Sequence, residues 1–252
     1  MNLDFTGKCI LVTGGTRGIG RGIVEAFLEA GARVAVNGST DESTAKAVSE
    51  LDAGDRVVAA PGSVGEVAGC NAVVAAAVEG LGGLDVLVNN AGRGGGGTIE
   101  DIDEELWDRV LDTNLKGTFF TIKAAIPHLR ASKGNIVNIA SVNGMTGVMK
   151  STAYGPSKAG VINMTKCLAQ EFAPDVRVNA ICPGGVDTDM LQNLAVRKAG
   201  NVPDGYEIIA ADCPQGRISD VSELAKPVLF YASDAASFAT GSIIAIDGGE
   251  TA

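Results

Sequence analysis

Eight residues near the start set the terms for the whole chain: Thr13-Gly14-Gly15-Thr16-Arg17-Gly18-Ile19-Gly20. Directly before them, Cys9-Ile10-Leu11-Val12 is a short continuous apolar run, the pattern of a strand covered on both faces. Directly after, Ile19, Ile23, Ala26, Phe27 and Ala30 recur at i, i+4, i+7, i+8 and i+11, the stripe of an amphipathic helix that Gly31 ends. Arg33-Val34-Ala35-Val36-Asn37 then reads as a second strand. Strand, glycine turn, helix and strand form a βαβ unit. Glycines at its first turn let the backbone curl tightly and let phosphate oxygens approach main-chain N–H groups at the helix N-terminus. The spacing is T-G-x-x-x-G-x-G, a shifted form of the G-x-G-x-x-G dinucleotide fingerprint, and the Gly-Lys-Ser/Thr of a P-loop is absent.

The same alternation continues. Further strands are expected at 56–60, 84–88, 135–139, 176–181 and 242–246, each an apolar run. Helices are expected at 45–51, 67–78, 103–129, 153–172 and 223–233. Asp103 suits the N-cap of the third, with Glu104 and Glu105 in its first turn, and Pro127 predicts an end or a kink there. Asp220 or Ser222 suits the cap of the last. The fold class that follows is α/β: a Rossmann-type doubly wound, seven-stranded parallel sheet with helices on both faces. Its 252 residues fit one domain, and 46% apolar with 20% charged residues supply a large core. Arg93-Gly94-Gly95-Gly96-Gly97 predicts a flexible loop. The stretch 187–215 is the least periodic and is expected to be a substrate lid, with a plain surface excursion as the alternative.

Composition excludes several classes. The net charge is −10 and no basic cluster exists, which argues against a nucleic-acid or anionic-membrane partner. No stretch reaches about 18 continuous apolar residues, and the first residues lack a basic start and a signal-length apolar run. Five scattered cysteines form no Cys-x-x-Cys, so no metal site is expected; reduced thiols in the cytoplasm fit them, with Cys9, Cys167 and Cys182 as small core residues. His128, the lone histidine, reads as a surface residue near a helix end.

Chemistry enters at Tyr154-Gly155-Pro156-Ser157-Lys158. Tyr154 and Lys158 share a helical face, with Cβ atoms about 5–6 Å apart. An ammonium beside a phenol favours the phenolate, so the tyrosine pKa is expected to fall and the group to exchange protons near neutral pH. In an open α/β sheet, ligands sit beyond the carboxyl ends of the strands. The glycine turn, Asn89-Asn90-Ala91-Gly92, Ser141 and Pro183-Gly184 all fall there, and Tyr154 follows Ser141 within one loop. After the second strand stands Asn37-Gly38-Ser39-Thr40, with no carboxylate for a ribose 2′-hydroxyl. Arg17, Ser39 and Thr40 can reach a 2′-phosphate, so NADP(H) is favoured; NAD(H) is the alternative, with Asp41 turning back to the ribose. Singly, Ser141 also reads as a strand-end cap, Asn114 as a helix kink, and Met145, Val148, Met149, Met190, Leu191 and Leu194 as core or lid packing as well as an apolar substrate pocket.

Together these markers resemble the short-chain dehydrogenase/reductase family in its single-domain form, over about Asp4 to Gly249: Thr13-Gly14-x-x-x-Gly18-x-Gly20, Asn89-Asn90-Ala91-Gly92, Asn114, Ser141, Tyr154-x-x-x-Lys158, Pro183-Gly184 and Asp247-Gly248-Gly249. The likeness is to members such as 3-oxoacyl-acyl-carrier-protein reductases and polyol or sugar dehydrogenases. It implies an oxidoreductase passing a hydride between NADP(H) and a carbonyl or secondary alcohol. An NAD-linked dehydrogenase of a hydroxylated metabolite, or a non-catalytic NADP(H)-binding sensor, are the rivals. The resemblance gives Tyr154 the acid/base role, has Lys158 lower its pKa and hold the nicotinamide ribose, puts Ser141 on the substrate oxygen, and has Asn114 anchor a relay water. It implies cofactor contacts at Gly14, Thr16, Arg17, Gly18, Ile19 and Gly20; at Gly38, Ser39 and Thr40; at Ser63 and Val64; at Asn90, Ala91 and Gly92; at Tyr154 and Lys158; and at Pro183, Gly184, Val186 and Thr188. It also implies a homotetramer paired through the helices at 103–129 and 153–172. Two positions depart from the pattern: Ser63 stands where the family usually has Asp, and Ser39 where many NADP-dependent members have Arg.

Overall fold

All seven apolar runs lie in one parallel sheet, in a computed structural model that describes residues 3–252. The strands are β1 Cys9–Val12, β2 Arg33–Val36, β3 Val57–Ala59, β4 Val86–Asn89, β5 Asn135–Ile139, β6 Arg177–Pro183 and β7 Ile243–Ile246. Their order is β3-β2-β1-β4-β5-β6-β7, so the winding reverses between β1 and β4, the place where such sheets open a crevice. The helices are α1 Gly18–Glu29, α2 Asp41–Leu51, α3 Val67–Leu81, α4 Glu104–Leu111, α5 Gly117–Ser132, α6 Tyr154–Phe172, α7 Asp189–Ala199, α8 Val202–Ala211 and α9 Val221–Ala232.

Strand residues alternate between two buried layers, because successive side chains point to opposite faces. Ile10, Val12, Val34, Val36 and Val88 pack with Ile23, Val24 and Phe27 of α1, Ala47 of α2 and Leu224 and Val228 of α9. Leu11, Ala35, Leu87, Ile136 and Val178 pack with Val73 and Ala77 of α3, Ile122 and Leu129 of α5, and Leu168 and Phe172 of α6. Covered on both faces, the central strands β1 and β4 need no polar alternation, which is why they read as near-continuous apolar runs. Thr40, Asp103, Thr188, Asn201 and Asp220 cap α2, α4, α7, α8 and α9 through their side chains, and Asp220 and Glu223 complete a capping box.

Three expectations need correction. The helix expected over 103–129 is two α-helices joined by one wide π turn, Asp112–Lys116, that holds Asn114. It runs past Pro127 to Ser132: Pro127 sits on an exposed side, and Leu129 beyond it is buried among α3 and β4 neighbours. Residues 187–215 are not irregular; they carry α7 and α8 packed on one another, and each buries so little that no stripe shows in sequence. Cys167 is exposed, not core, because it falls on the outer side of α6; Cys9 and Cys182 are buried as expected. Among the described residues, no helix is long and apolar enough to cross a membrane.

Candidate active site

The glycine turn after β1 is closed from two sides. The Asn90 side-chain amide donates to the carbonyls of Thr13 and Gly14, both at 3.0 Å, and the main-chain N–H groups of Asn90 and Ala91 donate to Thr13 Oγ1, also at 3.0 Å. On the other side, the Gly14 N–H donates to Asn37 Oδ1 at 3.1 Å, and Asn37 is buried. A side chain at Gly20 would run into the Gly14 carbonyl and the Asn90 amide, so only glycine lets α1 start this close to β1. The first turn of α1 holds no acidic residue, and Arg17 at its cap position makes no side-chain cap. Among the helices above, five have their first N–H groups capped by side chains, whereas α1 presents its own uncapped beside the glycine turn. That cradle fits a dinucleotide pyrophosphate.

The residues expected to face an adenosine are more mixed. Gly38 is buried under Thr16 and Thr44, which ties the end of β2 to the glycine turn. Ser39 is exposed. The Thr40 hydroxyl is already engaged, accepting from the Ser43 N–H at 3.2 Å and donating to Ser43 Oγ at 2.8 Å, because it caps α2; Asp41 lies in the first turn of that helix. Arg17 reaches Asp189 at 3.4 Å rather than Ser39 or Thr40. Ser63 is exposed and Val64 buried beside Gly117 of α5. Val186 sits in the core layer under α1 and α9, while Thr188 caps α7 beside Gly18. Gly184 follows β6 and lies against Asp247.

Ser141, Asn114 and the Tyr154–Lys158 pair come from three different segments and meet in one place. Ser141 ends the loop leaving β5 and accepts from the Asn143 N–H at 3.2 Å. Tyr154 and Lys158 occupy successive turns of α6, with Lys158 Nζ 5.8 Å from the Tyr154 ring centroid and donating to the Ile139 carbonyl at 2.8 Å. Asn114, fully buried in the π turn, accepts from the Arg93 N–H at 2.7 Å and donates to the Arg93 carbonyl and to Ser157 Oγ, each at 3.0 Å. Ser157 in turn donates to the Tyr154 carbonyl at 2.7 Å. A Cβ on Gly92 would stand 3.4 Å from Lys158 Nζ and 3.5 Å from Asn114 Oδ1, so the bare glycine leaves a small space between those two groups. The hydrogen bonds made by Thr13 and Asn37, the Ser157 hydroxyl and the main chain of Arg93 are parts of the site to which sequence reasoning gave no role. Ser157 stood inside the stretch that drew notice, but a serine there carries no signal of its own.

The electrostatics differ from the expectation for Tyr154. Its ring keeps some surface open, yet burial is the largest influence and raises the phenol above its ordinary pKa; the Ser141 hydroxyl pulls it down and Cys182 adds to the rise. The same burial lowers the Lys158 ammonium from 10.5 to about 8. The reason is shared desolvation: both groups lie in the same dry corner, which disfavours the charged form of each. Cys182 lies fully buried beneath them, its thiol pushed up to about 11 by burial. Near the cleft, Met145, Val148, Met149 and Met190 are exposed apolar side chains, and Gly94 of the glycine tract approaches Met190. The segment carrying α7 and α8 is held by Asp187, which accepts from Tyr206 Oη at 2.6 Å and Gln192 Nε2 at 3.1 Å.

Comparison with known proteins agrees with this geometry. Residues 8–199 match the family model described as short chain dehydrogenase. The chain is 38% identical to the 2-(S)-hydroxypropyl-CoM dehydrogenase 3 of Xanthobacter autotrophicus, covering 100% of both. It is 36% identical to a 3-oxoacyl-acyl-carrier-protein reductase FabG of Chlamydia muridarum, covering 99% of each. Among solved structures, the Pseudomonas aeruginosa RhlG/NADP active-site complex superposes with a TM-score of 0.91 at 34% identity, covering 99% of this chain and 98% of that one.

Proposed function

The chain belongs to the short-chain dehydrogenase/reductase family, and from that footing we propose that it is an NADP(H)-dependent oxidoreductase of carbonyls and secondary alcohols, working through Tyr154, Lys158, Ser141 and Asn114. The observation that carries the reading is the meeting of those four side chains beside the glycine turn. When bound, the nicotinamide supplies the hydride for carbonyl reduction, or takes it up in alcohol oxidation. Gly14, Thr16, Arg17, Gly18, Ile19 and Gly20 would hold the pyrophosphate at the α1 N-terminus. Gly38, Ser39 and Thr40 would face the adenosine ribose, and Ser63 and Val64 the adenine. Asn90, Ala91, Gly92, Pro183, Gly184, Val186 and Thr188 would line the nicotinamide end.

Burial keeps the Tyr154 phenol protonated at neutral pH, so its hydroxyl is ready to donate to a carbonyl oxygen. Ser141 Oγ donates to the same oxygen and stabilises the charge that develops there. Lys158, easily deprotonated at a pKa of about 8, returns a proton to Tyr154. Asn114, fixed by Arg93 and Ser157, and the bare Gly92 together leave room for a water that refills Lys158 from solvent. The NADP complex of the Pseudomonas relative supports the phosphate-bearing cofactor. NAD(H) is the second reading, favoured by the engagement of Thr40 with Ser43 and of Arg17 with Asp189. Exposed Trp107 on α4 and Phe119 on α5 support a homotetramer paired through the helical segments 103–129 and 153–172, and the proposed setting is the cytoplasm. A panel of ketones and secondary alcohols with each nucleotide tests the activity: at least one ketone should stimulate NADPH oxidation, and a panel without any stimulation overturns the reading.

A further inference from the structure

We propose that Asp189, which is not part of the acid/base group, is a determinant of cofactor selectivity: it holds Arg17 in an ion pair that NADP(H) must displace before its 2′-phosphate can be bound. This rests on the NADP(H) reading above and deepens it. Arg17 is the cap residue of α1, in the middle of the glycine turn, and Asp189 is the first residue of α7, the opening helix of the lid. Their side chains approach to 3.4 Å. The two helices are in close contact at this seam, since a Cβ on Gly18 would lie 3.3 Å from Thr188 Cγ2. The pair therefore joins the lid to the phosphate cradle.

Two features keep the carboxylate in place. Asp189 sits in the first turn of α7, where the helix dipole favours a negative charge. Thr188 caps that helix and also donates to the Val186 carbonyl at 3.2 Å, which fixes the start of α7 relative to β6. Ser39 and the engaged Thr40 offer no second cation on the β2 side, so Arg17 is the group left to neutralise a 2′-phosphate. A phosphate dianion and a carboxylate then compete for one guanidinium, whose planar fork suits either. NAD(H), lacking that phosphate, has no use for the displaced arginine. Asp189 thus lowers the affinity for NADP(H) selectively.

Both partners are mostly exposed, at 79% and 65% for their side chains, so the effect is that of a screened pair. Removing the competing carboxylate should tighten NADPH about two- to five-fold at low ionic strength and less in high salt. The test is a set of dissociation constants for NADPH and NADH, read by nucleotide fluorescence, for the wild type, Asp189→Asn, Asp189→Glu, Arg17→Ala and the Arg17→Ala/Asp189→Asn double variant. Asp189→Asn should tighten NADPH with NADH unchanged, Asp189→Glu should behave as wild type, and the asparagine should have no effect once Arg17 is gone. If Arg17→Ala weakens NADPH selectively while Asp189→Asn changes nothing, or tightens both nucleotides alike, this inference is overturned and the NADP(H) reading stands. If Arg17→Ala leaves the NADPH-to-NADH ratio at its wild-type value, both are overturned.

Discussion

Replacing Lys158 with methionine removes one charge from a dry corner of the fold, and the consequence for stability can be worked out. Lys158 is 4% exposed, and burial lowers its ammonium from 10.5 to about 8. The difference, 10.5 minus about 8, at about 1.4 kcal/mol for each pH unit, makes the charged lysine destabilise the folded chain by about 3 kcal/mol at neutral pH. The sign follows from proton counts. Between about pH 8 and 10.5 the unfolded chain holds a proton there that the folded chain has released, so wild-type stability rises with pH across that window. Below it, the destabilisation is present in full. Methionine is similar in length and carries no charge. It loses the hydrogen bond to the Ile139 carbonyl, but any difference between ammonium and amine as its donor is already part of the Lys158 shift, and the variant adds no pH dependence of its own there. The stability of Lys158→Met relative to wild type should therefore fall by about 3 kcal/mol between pH 7 and pH 10.5, while turnover is lost throughout. Urea unfolding followed by the fluorescence of Trp107, the single tryptophan, measures it. A difference that stays constant over that range would refute the reasoning.

Two further perturbations follow from the geometry. Asn114→Ala strands the Arg93 N–H and carbonyl and removes one partner of Ser157, all part-buried or buried; a loss of about 2–3 kcal/mol in unfolding free energy is expected, together with reduced kcat, and wild-type stability would show that the π turn holds itself. Gly20→Ala pushes a methyl into the Gly14 carbonyl and the Asn90 amide; it should weaken nucleotide binding at least ten-fold and destabilise by about 1–3 kcal/mol, and calorimetry with unchanged affinity would count against the cradle.

The sheet was legible because burial on both faces leaves little but apolar residues in runs such as Cys9–Val12 and Val86–Asn89, the latter apart from its polar end. The site was legible in its residue types, since Ser141, Tyr154 and the glycines stand at strand ends or helix starts. The π turn at Asp112–Lys116 was not, because one extra residue per turn barely disturbs a helical pattern on either side. Nor were α7 and α8, where Ala195 and Gly205 are the buried residues of their helices; Thr188 and Asn201 did carry capping signals ahead of them. The direction of the Tyr154 shift was misjudged because sequence spacing reports the neighbouring cation and says nothing of desolvation.

The most direct measurement of the proton-donating role is the single-turnover rate of Tyr154→Phe with a ketone found active, alongside its affinity for NADPH. The account expects the chemical step to slow by at least about a thousand-fold, with nucleotide affinity within about two-fold of wild type. A phenylalanine variant that reduces the ketone at the wild-type rate would contradict it.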